Sequence, residues 1–496
     1  MCANGILQRL AKLRQARFQK TNSINTSVFH RRGLHTNVID TLRERGFVHD
    51  ITSENIRKCV ASPVAVYCGV DPTAESLHLG NMVTLMGLLH FHIAGHRAIP
   101  LIGNATGMIG DPSGRSTERV ALDRETLAKN ITGIEGQLER FFKRGAEYAV
   151  KRMSNIDQRS LKQVGILHNA NWYCHMNILT FLGSVGRYVR VGAMMARDSV
   201  KSRLQSASGI SFTEFSYQLL QAYDFWYLFH YHGCKIQIGG SDQWGNITAG
   251  IDLIHRMELD QAQKSGVIQQ SFDDGRISEA FGLTIPLLTT SSGEKFGKSA
   301  GNAIWLDGKK TSPFDIYQFF VKTADTDVEK FLKLFTFLPI PVISKVIAEH
   351  KVSPENFVAQ KLLAAEVTEL IHGESGVRQA LCATEVLFGN RLASMQQFSS
   401  SDFASAFASD KRMLSIPRSG VAGKTISDIA VLVGACKSKS EASRLVRGGG
   451  LYWNGHPVSD AKWIPTADAG SFVGQGTVGI IRTGKTNYRL LRLINE

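Results

Sequence analysis

The stretch Tyr67-Cys68-Gly69-Val70-Asp71-Pro72-Thr73-Ala74-Glu75-Ser76-Leu77-His78-Leu79-Gly80-Asn81 decides the fold. Val64, Ala65, Val66, Tyr67 and Val70 form an apolar, β-prone run. Asp71-Pro72-Thr73 stops it, because proline has no N–H to offer a strand ladder. From Gly80 the apolar residues Val83, Leu85, Met86, Leu88, Leu89 and Ile93 recur at a helical period instead of alternating. Gly95 suits a left-handed helix stop, and Ile99-Pro100-Leu101-Ile102 begins the next strand. Strand, helix and strand in that order predict a parallel sheet with a right-handed crossover. Ligands of such sheets sit beyond the carboxyl ends of the strands, against helix N-termini whose free N–H groups suit phosphate. His78, Gly80 and Asn81 fall there. Gly80 lets a flat base or sugar approach the backbone, while Thr73 and His78 can donate to phosphate oxygens. A capping role alone accounts for His78 equally well at this point.

Downstream, Gly103-Asn-Ala-Thr-Gly-Met-Ile-Gly-Asp111-Pro-Ser-Gly114 reads as a turn that returns Asp111 to the strand ends. Arg115 and Arg119 follow, either as a solvated face or as partners for pyrophosphate. A helix is expected from Asp123 to Phe142, then an insertion over about 145–205 that includes Asn169-Ala170-Asn171-Trp172. Residues 212–232 read as a long helix ending before Gly233. At 100° per residue Tyr217, Gln221 and Asp224 fall within about 60° of one another. Phe215, Leu219, Ala222 and Trp226 lie opposite and should face the core. No lysine accompanies the polar stripe, so it reads as a pocket wall. Cys234-Lys-Ile-Gln-Ile-Gly239 is a further strand, ended by Gly239-Gly240 and followed by Ser241 and Asp242 as helix caps. An acid after such a strand suits ribose hydroxyls. Ser291 to Gly301 is a Gly-rich loop containing Gly-Lys-Ser, but position 292 is serine, so the phosphate-loop spacing fails.

Composition bounds the rest. The 496 residues, 43% of them hydrophobic, suffice for two or three domains. No run of about eighteen apolar residues is present, so no membrane span is expected. Seven scattered cysteines without a Cys-x-x-Cys pair suggest free thiols, not a zinc site or a disulfide scaffold. Net charge is +14, and residues 1–39 hold seven Lys or Arg with no Asp or Glu. With Ile6, Leu7, Leu10, Leu13 and Phe18 interleaved at helical spacing, residues 1–35 read as a mitochondrial transit peptide, with a basic RNA-binding arm as the alternative. Residues 311–393 are helical in pattern, and 394–420, rich in Ser and Ala, read as a linker. In residues 421–496 ten Lys or Arg face five Asp or Glu. There a basic helix over Ser438–Arg447 precedes a glycine-turned strand pair.

His78-Leu-Gly-Asn81 resembles the His-x-Gly-His signature of class I aminoacyl-tRNA synthetases. Lys295-Phe-Gly-Lys298-Ser resembles their Lys-Met-Ser-Lys-Ser signature in its tyrosyl form. Tyr67-Cys-Gly-Val-Asp-Pro-Thr73, Gly110-Asp-Pro-Ser-Gly114, Phe212-Thr-Glu-Phe-Ser-Tyr217, Gln221-Ala-Tyr-Asp224 and Gln237-Ile-Gly-Gly-Ser-Asp-Gln-Trp244 likewise resemble the tyrosyl-tRNA synthetase family, densely over about 38–340. Asn81 departs from the pattern by replacing its second histidine.

The resemblance implies an α/β chain. Its parts would be a Rossmann-like parallel-sheet catalytic domain (36–310), an α-helical anticodon-binding domain (311–393), and a small α+β module at 421–496 like an RNA-binding module of a ribosomal protein. It implies ATP-dependent attachment of L-tyrosine to tRNA(Tyr) through tyrosyl-adenylate, by a homodimer in the mitochondrial matrix, with Mg2+ carried by ATP and no prosthetic group or protein-held metal. Carried over residue by residue, Thr73, His78, Asn81, Lys295, Lys298, Arg115 and Arg119 should serve the transition state and pyrophosphate. Tyr67 and Asp224 should bind the tyrosine phenol, and Tyr217, Gln221 and Asp111 its ammonium. Asp71 and Gln243 should shape the pocket, with Asn169 on its rim. Cys68, Gly240, Asp242 and Thr84 should lie at the adenosine, together with Thr73, His78, Asn81 and Lys298 as ATP contacts. Three rivals remain: a splicing or RNA-binding protein on a synthetase body, a tryptophanyl enzyme, and a metabolic nucleotidyltransferase. The last would leave the C-terminal module unexplained.

Overall fold

The computed structural model describes residues 37–495 except 114–121, 154–155, 157–160, 162, 207–208, 265–278, 290, 292–297, 300–301, 390–391, 409, 467–470 and 485–486. Arg115, Arg119, Lys295 and residues 1–35 therefore lie outside the described residues, and Lys298 is described by its backbone alone. The chain divides into two compact units, one spanning Thr26–Thr311 and Ala324–Ala348, the other including Ser312–Thr323 and Glu349–Glu496.

The first unit is built on β1 (Asp50–Ile51), β2 (Ala65–Val70), β3 (Arg97–Ile102), β4 (Leu167–His168), β5 (Cys234–Gly240) and β6 (Phe281–Ile285), in the order β1-β6-β5-β2-β3-β4. All neighbours run parallel except the edge pair β1–β6. The inner strands are apolar on both faces because helices cover both. They include α2 (Leu79–Ile93), α3 (Arg124–Arg152), α4 (Phe212–His232) and α5 (Trp244–Lys264), which follow α1 (Val38–Arg45). The first strand–helix–strand unit forms as its pattern predicts, with Gly95 at φ 92°. α3 runs ten residues past the expected Phe142, because Tyr148 and Ala149 continue its buried side. From β2 the chain steps to β3 on one side, and from β5 to β6 on the other. The switch point of the sheet therefore lies between β2 and β5, where Tyr67 pairs with Gln237.

α3 crosses the loop before α2 at Gly133, where an added Cβ would stand 2.3 Å from the Glu75 carbonyl oxygen. Backbone cannot yield as a side-chain tip does, so Gly133→Ala is expected to destabilise the protein by ~1–3 kcal/mol in urea unfolding. An unchanged midpoint would refute that packing.

Two expectations about segments differ from what is observed. Ala324–Ala348, expected inside the helical block 311–393, clusters with the sheet unit. Buried Arg45 explains this by donating to the carbonyls of Lys333 in the last turn of α7 (Asp325–Phe335) and of Thr336 and Leu338 just past it, while Phe337 packs on the His90 ring 4.5 Å away. Residues 394–420, expected as a linker, hold α9 (Ser400–Ala406) and β9 (Met413–Pro417). In the second unit α6 (Pro313–Val321) packs along α8 (Val358–Phe388), with Gln318 donating to Thr384 at 2.9 Å. Its sheet has the order β11-β10-β12-β13-β9, formed with β10 (Leu451–Trp453), β11 (His456–Pro457), β12 (Val478–Thr483) and β13 (Asn487–Ile494). α10 (Ile426–Leu432) and α11 (Lys439–Arg447) close its apolar core over Trp453, Ile481 and Leu491.

Candidate active site

The carboxyl ends of β2 and β5 bring several of the motif residues together. Tyr67 projects from β2 into the interior, 1% exposed, with its ring 5.3 Å from that of Phe225. Its hydroxyl has no hydrogen-bond partner among the described residues. Burial, and then the Asp224 carboxylate, push that hydroxyl well above its ordinary range, so it remains a donor at neutral pH. Gln237, its neighbour across the switch point, also leaves a buried amide oxygen without a partner. Orphaned polar atoms in a dry interior are costly, and a polar ligand is one way to satisfy them.

Asp224 on α4 is fully enclosed. Trp172 Nε1–H donates to Oδ1 at 2.9 Å and Asn169 Nδ2 to Oδ2 at 3.0 Å. Burial nevertheless pushes its carboxyl up to about 7, against the pull of those two hydrogen bonds. Between the unfolded value near 4 and about 7, the folded protein thus holds a proton that the unfolded chain has released. Stability contributed by this group is present below that window and falls as pH rises through it. Asp224→Asn should flatten that fall, measured as the midpoint of thermal unfolding from pH 4 to 8. An equal slope in both proteins would contradict the assignment.

The rest of the polar stripe on α4 faces the same way. Tyr217 donates to Asp71 Oδ2 at 2.8 Å, and Thr106 donates to Asp71 Oδ1 at 2.9 Å. Gln243 Nε2 donates to Asp111 Oδ2 at 2.7 Å, and Gln221 donates to Gln243 Oε1 at 3.2 Å. Asn246 sits among them, donating to Gln221 Oε1 at 3.1 Å and reaching Asp111 Oδ1 at 3.4 Å. Two carboxylates, Asp71 and Asp111, thus stand in a ring of amides and hydroxyls, an arrangement that can receive an ammonium group. Gly103 keeps this wall close, since an added Cβ would stand 2.2 Å from Asp71 Oδ1.

Asn169, expected on the rim, is fully buried and bridges Asp224 to Thr106. Trp172, Thr106 and Asn246 were not singled out by sequence reasoning. Asn246 carried a usable signal, because it stands one helical turn after Gln243.

At the start of α2, His78 is the N-cap: its Nδ1 accepts from the Asn81 N–H at 3.3 Å, and Asn81 Oδ1 accepts from the His78 N–H at 3.1 Å. In the neutral ring this fixes the proton on Nε2. It also leaves the two amide hydrogens of Asn81 as donors. Leu77–Leu79 pair with Ile304–Leu306 through Leu79 N–H to Ile304 and Leu306 N–H to Leu77, bringing Trp305 opposite His78. The ribbon of β7 (Lys298–Ser299) and β8 (Asn302–Ala303) runs straight into that pairing. The backbone of Lys298 is thereby tied to the loop that carries His78. Glu75, held by Lys129 and Lys310, fastens the same loop. Thr73 is exposed, and Thr84 is half-buried on α2. Asp242 is exposed beside Gly240 at the end of β5. Cys68 is buried and its thiol pushed up to about 12 by that burial.

Residues 60–389 match the family model "tRNA synthetases class I (W and Y)". The chain is 40% identical over 470 residues to the mitochondrial tyrosine–tRNA ligase of Drosophila melanogaster, covering 93% of this chain and 96% of that protein. It is 38% identical over 438 residues to the mitochondrial tyrosine–tRNA ligase of Rattus norvegicus, covering 88% and 86%. Among solved structures, a C-terminally truncated mitochondrial tyrosyl-tRNA synthetase of Aspergillus nidulans superposes with a TM-score of 0.64 at 35% identity, over 77% of this chain and 99% of that one.

Proposed function

The chain belongs to the class I tRNA synthetases (W and Y), among the tyrosine–tRNA ligases, and from that premise we propose how its residues divide the work. The enzyme attaches L-tyrosine to tRNA with ATP. In the first step a tyrosine carboxylate oxygen bonds to the α-phosphorus of ATP while the bond to pyrophosphate breaks, giving tyrosyl-adenylate. In the second, a terminal ribose hydroxyl of tRNA(Tyr) attacks the carbonyl carbon, AMP leaves with the bonding pair, and the hydroxyl proton is released. The substrate carboxylate is already a nucleophile, so the first step needs neither a protein nucleophile nor a base. It needs charge neutralisation as pyrophosphate departs.

The observation that carries the assignment is the unpartnered Tyr67 hydroxyl beside buried Asp224 at the sheet's switch point. A tyrosine ring entering there would accept from Tyr67 and donate to Asp224. Its ammonium would meet Asp71 and Asp111 beside Tyr217 and Gln221, with Gln243 fixing the direction of Asp111 and Asn169 that of Asp224. ATP would lie along Cys68, Gly240, Asp242 and Thr84 toward His78 and Asn81. Thr73, His78, Lys295, Lys298, Arg115 and Arg119 would stabilise the departing pyrophosphate, gripping hardest as charge moves. Mg2+ would travel on the ATP phosphates, mostly keeping water and phosphate as ligands.

Location in the mitochondrial matrix is supported by the acid-free basic residues 1–39 and by the names of the relatives. A homodimer is supported by apolar side chains left in solvent along 178–212, among them Leu179 and Phe212, each 78% exposed. The helical segment from α6 to α8 is read as anticodon-binding. The C-terminal module is read as RNA-binding because α11 presents exposed Arg444 and Arg447. No described helix is long and apolar enough to cross a membrane. Protein beginning at residue 36 should exchange pyrophosphate into ATP when given tyrosine and not when given tryptophan. Exchange with tryptophan alone would transfer the chain to the other branch of its family, and no exchange would leave an RNA-binding protein.

A further inference from the structure

The segment between α8 and the C-terminal sheet is built as a bracket and not as a tether. α8 bends at Gly373, whose φ of 73° and ψ of −177° lie outside helical geometry in a region open essentially to glycine alone. The half beyond the bend carries Arg378. Its guanidinium meets Asp402 fork to fork, Nε donating to Oδ1 at 3.0 Å and Nη2 to Oδ2 at 2.6 Å. Asp402 stands in the first turn of α9, where its Oδ2 also accepts from the Ser399 N–H at 2.8 Å while the Ser399 hydroxyl oxygen accepts from the Asp402 N–H. One carboxylate thus both starts the helix and holds it to α8. Behind it Phe398, Phe403 and Phe407 are buried. Phe403 lies so near the loop before β12 that a Cβ added to Gly474 would come within 3.2 Å of its ring. Past the helix, β9 pairs in parallel with β13 over five residues. The connection is therefore pinned at one end by a charged fork and at the other by a strand ladder.

We propose that Arg378 and Asp402 are positioning residues that hold the C-terminal module at a fixed place on α8, so that helical segment and module offer tRNA one surface of set span. The proposal rests on the reading of both parts as RNA-binding. Two contact surfaces held at the matching distance bind a long ligand more tightly than the same surfaces on a loose joint, because the second contact forms without ordering the joint. Neither residue belongs to the groups assigned to tyrosine or ATP, so the effect should appear in the tRNA step alone.

The test uses the full chain with Arg378→Gln, Arg378→Lys and Asp402→Asn, the last retaining a side-chain oxygen for the Ser399 N–H. Each is assayed for tyrosine-dependent pyrophosphate exchange, which needs no tRNA, and for aminoacylation of a tRNA(Tyr) transcript. The expected result is a rise of roughly three- to tenfold in KM for tRNA for Arg378→Gln and Asp402→Asn, a smaller one for Arg378→Lys, and unchanged exchange. A double Arg444→Ala, Arg447→Ala variant is measured beside them. If it raises KM for tRNA while the Arg378 and Asp402 variants do not, the bracket is refuted and the RNA-binding reading stands. If it leaves KM for tRNA unchanged, the RNA-binding reading of the module falls and the bracket falls with it. Loss of exchange in parallel with aminoacylation in the Arg378 and Asp402 variants would reduce the pair to a general stabilising contact and also overturn the proposal.

Discussion

Asp224→Ala is expected to lower kcat/KM for tyrosine-dependent pyrophosphate exchange by on the order of 10³-fold, and to erode selectivity for tyrosine over phenylalanine with it. The physical reason is the dryness of the pocket. Phenylalanine entering it would leave the Tyr67 hydroxyl buried and unpaired and Asp224 short of a donor beyond Trp172 and Asn169, and tyrosyl-tRNA synthetases are themselves the standing example of rejection by that means. Removing Asp224 removes both the attraction for the hydroxyl and the penalty against its absence. Tyr67→Phe separates function from stability. No described residue pairs with that hydroxyl, so deleting it should leave the fold unchanged or more stable by ~1 kcal/mol, while KM for tyrosine rises about tenfold. A variant that lost stability and kept its tyrosine KM would show that the hydroxyl serves the fold and not the ligand.

His78→Asn is expected to lower kcat for tyrosyl-adenylate formation by on the order of 10²-fold with little change in KM for tyrosine. Asparagine is chosen because it is a good N-cap whose side-chain oxygen can accept from the Asn81 N–H as His78 Nδ1 does. What asparagine lacks is the ring Nε2–H that Nδ1 capping fixes as a donor. Thermal unfolding should therefore move little while the rate falls. His78→Ala should lose the rate and also about 1 kcal/mol of stability through the cap. If His78→Asn kept full rate, His78 would be a structural cap and nothing more. Single-turnover formation of the adenylate, free of product release, is the measurement that decides.

Much of this site was legible because its residues sit on regular elements with known periods. A 100° step places Tyr217, Gln221 and Asp224 on one stripe of α4, and a strand stopped by Asp71-Pro72 places Tyr67 just inside a carboxyl end. The donors to Asp224 could not be read that way. Trp172 and Asn169 come from a short helical turn 52 and 55 residues upstream, and only the closed fold brings them to that carboxylate. Thr106 likewise meets Asp71 across a loop whose path no local pattern predicts. Residues 394–420 failed as a linker for a different reason. Their Ser and Ala content suggested an unpacked chain, whereas Ser399 and Asp402 three residues apart form a capping box and Phe398, Phe403 and Phe407 supply a buried face. Composition averaged away the positions that mattered.

A hydroxylated aromatic ring should enter between Tyr67 and Asp224 at the sheet's switch point. A crystal structure of the protein with L-tyrosine bound tests it most directly. The phenolic oxygen should lie within about 3 Å of both Tyr67 Oη and Asp224 Oδ, with the ammonium toward Asp71 and Asp111. Tyrosine bound elsewhere, or bound with the Tyr67 hydroxyl still unpartnered, would contradict it.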